Sequence, residues 1–287
     1  MNEDSLEDKI GKMKREAIGR MTEIVDKEKL KDKFRNIYDN IYVRAGETLA
    51  INAGSVWKFV EGKGIYVQGG TLKILGTKEE PVVLQARNAT WYGIYIENSA
   101  LENLMQYTTI KQASKDNGGG IFASKSSLFI TYSTITNCEA KWHGGGIDTW
   151  KSNVKIDNSE IKHNKAEWGA GMSNRNYSEL IVQHTAITNN AARMNGGGIA
   201  IFNGSEVQIA NSNILNNNAD SEKEFTYMIS GGGIYTIHSN VTLKQSRIAK
   251  NTSRNGGGIH NINSNVYLIG QKQVVYNSPN NITESNE

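Results

Sequence analysis

Cysteine and long apolar runs are the clearest absences from this chain. Cys138 is the single cysteine, so neither an intrachain disulfide framework nor an all-cysteine metal site can form. No segment approaches the roughly 18 consecutive apolar residues of a membrane-spanning helix. The net charge of +3 is small and the lysines and arginines are scattered, which argues against a nucleic-acid partner. The polar start MNEDSLEDKI does not resemble a signal peptide.

Proline is also scarce, with two residues against 29 glycines. The glycines are concentrated in a repeated motif that reads GGGI, or GAGM in one copy. The copies begin at Gly118, Gly144, Gly169, Gly196, Gly231 and Gly256. Their spacings are 26, 25, 27, 35 and 25 residues. Self-similarity at this period predicts a solenoid, in which each repeat buries its apolar face against its neighbours.

Apolar residues alternate with polar ones inside each repeat and form columns when the repeats are aligned. The first column follows the glycines: Ile121, Ile147, Met172, Ile199, Ile234 and Ile259. The second is Leu128, Val154, Leu180, Val207, Val241 and Val266, and the third lies two residues after each of these. The fourth is Ile135, Ile161, Ile187, Ile214, Ile248 and Val274. Period-two alternation of β-branched residues indicates short strands, and three strands per repeat predict an all-β solenoid. We therefore predict a right-handed single-stranded parallel β-helix of roughly eight to nine coils.

Two polar columns support the same register. One holds Ser133, Ser159, Thr185, Ser212 and Ser246. The other holds Asn164, Asn190, Asn217, Asn251 and Asn277, with Cys138 and Ala113 in the earlier coils. Coils stacked about 4.8 Å apart allow one asparagine amide to hydrogen-bond the next. Cys138 is then a small residue in the asparagine column rather than a reactive thiol.

The chain divides into three parts: residues 1–40, 41–278 and 279–287. We predict an amphipathic helical cap for 1–40, because its apolar residues recur at spacings of three and four. These are Leu6, Ile10, Met13, Ala17, Met21 and Ile24, then Leu30, Phe34 and Ile37 after a break near Asp26. The alternative is a coiled coil that oligomerises the protein. Residues 41–278 form the β-helix and 279–287 a polar tail, which leaves the last coil open to end-to-end self-association.

The repeats resemble those of known surface proteins. The combination of GGGI with I-x-x-N-x-A, as in Ile187 to Ala191 followed by Gly196 to Ile199, is similar to the repeats of chlamydial-type polymorphic outer membrane proteins. The segment Gly69 to Gly93, with G-G-T-L and W-Y-G-I, resembles bacterial surface β-helix proteins of the pectin-lyase-like superfamily. The resemblance implies an extracellular or cell-surface location, although this chain shows no leader, barrel or sorting signal. The superfamily includes lyases, hydrolases, adhesins and phage tailspikes, so the fold does not imply one function.

No conventional catalytic set is visible on the predicted strand faces. Three outward columns can be read from the repeats: after the glycine triplets, between the two apolar columns of the second strand, and beside the third strand. None of these three stacks two carboxylates on neighbouring coils, as two-acid hydrolases and calcium-dependent lyases require. The histidines fall in different columns, so we expect no metal site, and no sequence signal implies a cofactor.

The best candidate cluster lies around residues 142–175. It contains Trp142, His143, Asp148, Trp150, Glu167, Trp168 and Arg175. Indole faces at a polar rim suit sugar rings. His143 as a base and Arg175 neutralising a uronate would instead make a metal-independent polysaccharide lyase. The alternative without a function is that Trp142 and Trp168 simply pack over the glycine corner.

The 35-residue coil carries an insertion of about ten residues, Asp220 to Ser230, with Phe225 and Tyr227 as further binding candidates. The sequence therefore favours a non-catalytic surface or adhesion-type module that binds a polysaccharide or a surface protein. A metal-independent lyase and a structural rod that self-associates end to end are the alternatives.

Overall fold

The structure, a computed structural model, describes residues 33–220, 229–270 and 274–285. These residues form a parallel β-solenoid of about nine turns, and none of them is helical. They contain four sheets, each running along the stack, and every pairing between named strands is parallel. Each full coil contributes one strand to each of sheets 1, 2 and 3 in turn, and the central coils also contribute a short strand to sheet 4.

The strands of sheet 1 follow the glycine triplets. In stacking order they are β2 (Ile41–Arg44), β5 (Ile65–Gln68), β8 (Ile94–Glu97), β12 (Ile121–Ser124), β16 (Ile147–Trp150), β20 (Met172–Arg175), β24 (Ile199–Phe202), β28 (Ile234–Ile237), β31 (Ile259–Ile262) and β34 (Ile282–Ser285). Sheet 2 contains β3 (Thr48–Asn52), β6 (Thr71–Leu75), β9 (Glu102–Gln106), β13 (Ser127–Thr131), β17 (Asn153–Asp157), β21 (Glu179–Gln183), β25 (Glu206–Ala210), β29 (Asn240–Lys244) and β32 (Asn265–Ile269).

Sheet 3 contains the shorter strands that precede the asparagine corner. They are β1 (Phe34–Ile37), β4 (Val56–Phe59), β7 (Val82–Ala86), β10 (Thr108–Lys111), β14 (Thr134–Thr136), β18 (Glu160–Lys162), β22 (Ala186–Thr188), β26 (Asn213–Leu215), β30 (Arg247–Ala249) and β33 (Val274–Val275). Sheet 4 contains β11 (Ser114–Lys115), β15 (Glu139–Ala140), β19 (Lys165–Trp168), β23 (Ala191–Asn195) and β27 (Asn218–Ala219).

The register confirms the predicted apolar columns. Ile121 pairs with Ile147, which pairs with Met172, and the other three columns align in the same way. Because these side chains point into the coil, like residues stack on like residues and form the core. The early coils differ in having an aromatic core, in which the buried rings of Phe59 and Trp91 stack with centroids 4.3 Å apart.

The asparagine ladder is confirmed by its hydrogen bonds. The Asn190 Nδ2 donates to Asn217 Oδ1 at 2.9 Å, and Asn164 Nδ2 donates to Asn190 Oδ1 at 3.1 Å. Cys138 stands at the next position, where its backbone N–H donates to Asn164 Oδ1. The serine column forms a parallel series, for example from Ser133 N to Ser159 Oγ. Both ladders satisfy buried backbone groups at the corners, as buried polar groups require.

Three predictions need correction. The helix predicted across Phe34 and Ile37 is wrong there, because Phe34–Ile37 is a strand paired with β4; the rest of the predicted cap, residues 1–32, lies outside the described residues. The prediction of three strands per coil missed sheet 4, which is present only in the central coils and in which three of the five strands have two residues each. The segment predicted as a polar tail contributes β34, which pairs with β31.

Candidate functional site

The corner between sheets 4 and 1 brings two tryptophans together. His143 and Trp168 form a parallel bridge in neighbouring coils, and their rings stack with centroids 4.8 Å apart. The Trp142 ring stacks on the Trp168 ring with centroids 6.3 Å apart. Trp142 is 42% exposed, and the Lys141 ammonium lies 4.9 Å from its ring centroid. The structure therefore groups Trp142, His143 and Trp168 into one aromatic corner with an accessible indole.

Asp148 and Arg175 form an ion pair on the outward side of sheet 1. The Arg175 Nε donates to Asp148 Oδ1 at 3.0 Å, and its Nη2 donates to Oδ2. Asp148 is fully buried and the Arg175 side chain is 19% exposed. Burial raises the pKa of Asp148 to about 6, and the charge and hydrogen bonds of Arg175 oppose that rise. Neither group therefore points freely into solvent, and Arg175 is already committed to a carboxylate.

His143 is a neutral imidazole held in an apolar setting. Burial, with a smaller contribution from the charge of Arg175, lowers the pKa of His143 to about 3. Its ring meets Phe202 edge to face with centroids 5.7 Å apart, and its buried Nδ1 has no hydrogen-bond partner among the described residues. Since Phe202 lies two coils further on, the imidazole reaches over the intervening strand β20. Ser173 and Ala200, which pair with each other on β20 and β24, are also fully buried.

The other candidate site residues predicted from the sequence do not join this aromatic corner. Trp150 stands at the opposite end of β16, where its ring lies beneath the ammonium groups of Lys125 and Lys151. Glu167 is half-buried in β19, next to Trp168. Phe225 and Tyr227 lie outside the described residues.

Beside the aromatic corner lies a polar cleft of about 370 Å³ that the sequence did not predict. Its charged lining residues are Lys115, Asp116, Glu139, Lys141 and Arg193. These residues lie in or next to the strands of sheet 4, whose short length leaves no periodic signal. The cleft adjoins the aromatic corner through Lys141, which both lines the cleft and covers the ring of Trp142.

One wall of the cleft is a lysine surrounded by tyrosines. The Lys115 Nζ donates to Tyr66 Oη at 3.0 Å and lies 3.8 Å from the ring centroid of Tyr95 and 5.0 Å from that of Tyr92. Burial lowers the pKa of Lys115. On the opposite side, Arg193 reaches across two coils to pair with Glu139. The cleft therefore presents charges of both signs, partly neutralised by internal pairs.

Cys138 is unsuited to nucleophilic chemistry. It is buried, and burial raises the pKa of its thiol to about 12. Its Sγ lies 3.4 Å from the carbonyl oxygen of Thr136. Within the ranges that the structure describes, no three His, Cys, Asp or Glu side chains are grouped closely enough to hold a metal ion.

The family model described as the right handed beta helix region matches residues 83–232, which is 150 of the 287 residues. The chain belongs to the right-handed β-helix family. The matched β-helix segment includes the aromatic corner, the polar cleft and sheet 4. Comparisons with curated proteins and with solved structures found no match. None of the described residues of this β-helix forms a helix long and apolar enough to cross a membrane.

Proposed function

We propose that this β-helix is a non-catalytic surface or adhesion-type module that binds a glycan at the aromatic corner. The observation that carries the proposal is the Trp142–Trp168 stack beside a polar cleft. The exposed indole of Trp142 offers an apolar face to the C–H side of a sugar ring, and the adjacent cleft offers hydrogen-bonding and charged groups to its hydroxyls. A rigid parallel stack holds these groups in place without ordering costs on binding.

The second candidate, a metal-independent lyase, depends on His143 and Arg175. Burial lowers the pKa of His143 to about 3, which leaves the imidazole neutral but only weakly basic, so it is a poor acceptor for a substrate proton near neutral pH. Arg175 already forms two hydrogen bonds to the buried Asp148. To neutralise a uronate, Arg175 would have to leave this pair, and the buried carboxylate would lose its partner. That loss costs about 3–5 kcal/mol. Binding without catalysis is therefore the better supported function.

A glycan array probed with the full chain and with Trp142→Ala tests the proposal. We expect retention of a defined set of glycans and a loss of about tenfold or more in affinity for Trp142→Ala, since buried aromatic contacts dominate such sites. Tyr276→Asn is the matched control, because Tyr276 is an exposed aromatic residue at a distant corner whose equivalents include Asn216.

Two results would contradict the proposal. One is equal binding by wild type and Trp142→Ala, which would remove the indole from the site. The other is the release of unsaturated products from acidic polysaccharides, measured by ultraviolet absorbance. That result would show that the protein is a lyase. If that activity disappeared in His143→Ala, the lyase assignment would stand in place of ours.

A further inference from the structure

The corner between sheets 1 and 2 has an unusual choice of residue in two neighbouring coils. The residue after each strand of sheet 1 from β8 to β31 adopts a left-handed conformation, with φ between 44° and 57°. These residues are Asn98, Lys125, Lys151, Asn176, Asn203, His238 and Asn263. Asparagine and histidine tolerate positive φ better than most residues, whereas lysine has no such advantage. Lys125 and Lys151 therefore depart from the local preference of this corner, and they do so side by side.

The two lysines converge on one indole. The ammonium group of Lys125 lies 5.6 Å from the ring centroid of Trp150, and that of Lys151 lies 4.6 Å from it. Trp150 pairs with Ser124, the residue before Lys125, so the three side chains arise from adjacent strands. Like charges on neighbouring coils repel, and the π face of the ring offsets this repulsion in part. Both lysines are solvent-exposed. The two ammonium groups therefore form a small positively charged surface next to the Trp150 ring.

The neighbouring column of sheet 2 has glutamates on either side of the two lysine coils but none within them. Its first positions are occupied by glutamates on both sides, at Glu102 before and at Glu179 and Glu206 after. The two coils with lysines carry Ser127 and Asn153 instead, which pair with each other. The side chains of these two residues have no hydrogen-bond partner within the described ranges. The charge of the lysines is thus not neutralised from this column, and two polar groups remain available.

The two lysines, together with Ser127 and Asn153, line a cleft of about 310 Å³. Its lining includes Lys125, Lys151, Ser127 and Asn153 and contains no carboxylate. This distinguishes it from the cleft on sheet 4, where Asp116 and Glu139 offset the cations.

We propose that this Lys125–Trp150–Lys151 corner binds the acid group of an acidic polysaccharide, either a uronate carboxylate or a sulfate ester. Two ammonium groups supply charge-assisted hydrogen bonds to the anion. The indole supplies an apolar surface for the sugar ring, and Ser127 and Asn153 supply partners for hydroxyls. A nucleic acid is the poorer fit, because binding to its backbone normally uses six to ten phosphate contacts, and this corner offers about two.

The inference rests on the proposed glycan-binding function for the class of ligand, but the site is separate. Trp142 and Trp150 lie at opposite ends of the segment that contains β16, on different corners of the coil. The two corners share no side chain, so a substitution at one corner leaves the side chains of the other unchanged.

Isothermal titration calorimetry on the full chain tests the inference with four probes. They are a heparin-derived hexasaccharide, an oligogalacturonate hexasaccharide, maltohexaose and a single-stranded oligonucleotide. The first two separate sulfate from carboxylate, and the third is neutral. We expect binding of at least one acidic hexasaccharide that weakens with added salt. Any binding of maltohexaose should be unchanged when the two lysines are replaced.

The deciding variant is the double substitution Lys125→Asn and Lys151→Asn. Asparagine already occupies the equivalent position in four other coils, so the fold should be retained or slightly stabilised. We expect the affinity for the acidic hexasaccharide to fall about tenfold or more. Lys250→Asn is the matched control, because Lys250 is an exposed lysine with φ of 56° on another corner, where Asn189 and Asn216 are its equivalents. We expect this variant to bind as wild type does.

Four outcomes would overturn the inference. They are no binding of either acidic hexasaccharide, an equal loss in Lys250→Asn, unchanged affinity in the double variant, and tighter binding of the oligonucleotide than of both sugars. Trp142→Ala measured in parallel keeps the two proposals distinguishable. Loss of glycan binding in Trp142→Ala with full retention in the lysine variant would refute only the present inference, and the reverse pattern would refute only the first proposal.

Discussion

Single residues of the asparagine ladder each satisfy several buried groups. The Asn190 Oδ1 accepts from the backbone N–H and the side chain of Asn164, and its Nδ2 donates to Ile161 O and to the next asparagine. Asn190→Ala would leave a buried N–H without a partner, so we expect a loss of about 3 kcal/mol in the free energy of unfolding. Urea denaturation followed by circular dichroism measures this loss.

The control for the ladder is Asn213→Ala. Asn213 is an exposed strand residue two positions after Asn211, and it makes no side-chain hydrogen bond within the described residues. Its replacement should change stability by less than about 0.5 kcal/mol. Equal losses in the two variants would show that the ladder does not stabilise the coils in the way its geometry suggests.

His143 should make stability depend on pH. Because burial lowers its folded-state pKa to about 3, the unfolded chain binds a proton near pH 6.5 that the folded chain does not bind. Stability is therefore lost as the pH falls from about 6.5 towards 3. His143→Phe keeps an aromatic ring against Trp168 and removes the titrating group. Between pH 7.5 and 4.5 its free energy of unfolding should therefore fall by roughly 2 kcal/mol less than that of wild type. Urea unfolding at both pH values measures the difference.

The exposed His163 provides the comparison for this pH effect. His163→Asn should show the wild-type dependence, since Asn137 and Asn189 occupy the equivalent corner position without strain. If His143→Phe lost as much stability on acidification as wild type does, another group would have to be responsible.

At the scale of elements, the glycine triplets allow neighbouring coils to stack closely, because they leave no side chain between the coils. A Cβ on Gly198 would lie 2.5 Å from the Gly233 carbonyl oxygen and 2.9 Å from the Ile214 side chain. We expect Gly198→Ala to cost about 1–3 kcal/mol through overpacking. The shift in the urea midpoint at unchanged slope measures it.

The middle glycine of the same triplet gives a sharp comparison. Gly197→Ala also brings a methyl group near backbone oxygens, but Ala170 occupies this position in the GAGM coil and is accommodated there. The middle position can therefore adjust, and Gly197→Ala should cost less than the change at Gly198. The reverse order would mean that the coil around Gly197 cannot adjust to a methyl group as the coil around Ala170 does.

Elements also set the limit of what the repeats could predict. Strands of sheets 1 and 2 are four or five residues long and alternate in burial, so their apolar columns were visible. Strands β11 and β15 have two residues each and show no period. The cleft on sheet 4 was missed for this reason, because its residues belong to a sheet that no pattern indicated.

At the scale of the whole β-helix, the last coil leaves apolar residues uncovered. In the described residues, β32 pairs with β29 on one side and with no strand on the other. Leu268 and Ile269 are 43% and 50% exposed there. An exposed apolar sheet edge favours pairing with another chain. We expect concentration-dependent association in sedimentation velocity, reduced in the double variant Leu268→Lys and Ile269→Lys.

Leu101→Lys controls for a general effect of removing surface apolar residues. Leu101 is 64% exposed but lies at a corner rather than at the open edge, so its replacement should leave association unchanged. A monomer at all concentrations would show that the open edge does not associate.

The sequence alone determined the coil period, the strand columns and the polar ladders. In a stacked solenoid each inward side chain contacts its own counterpart in the next coil, so a repeat in the sequence is directly a contact in space. Ile147 over Ile121, or Asn190 over Asn164, needs no further information.

Only the tertiary structure decided which outward side chains meet. The pairing of Arg175 with the buried Asp148, the reach of His143 to Phe202 and the bridge from Arg193 to Glu139 each depend on side chains that bend sideways or cross coils. Outward positions also lie beside their equivalents in the next coil, as Tyr66 lies beside Tyr42, but no shared core requires the same residue type in every coil. Their contacts follow from side-chain length, charge and burial once the coils are already stacked.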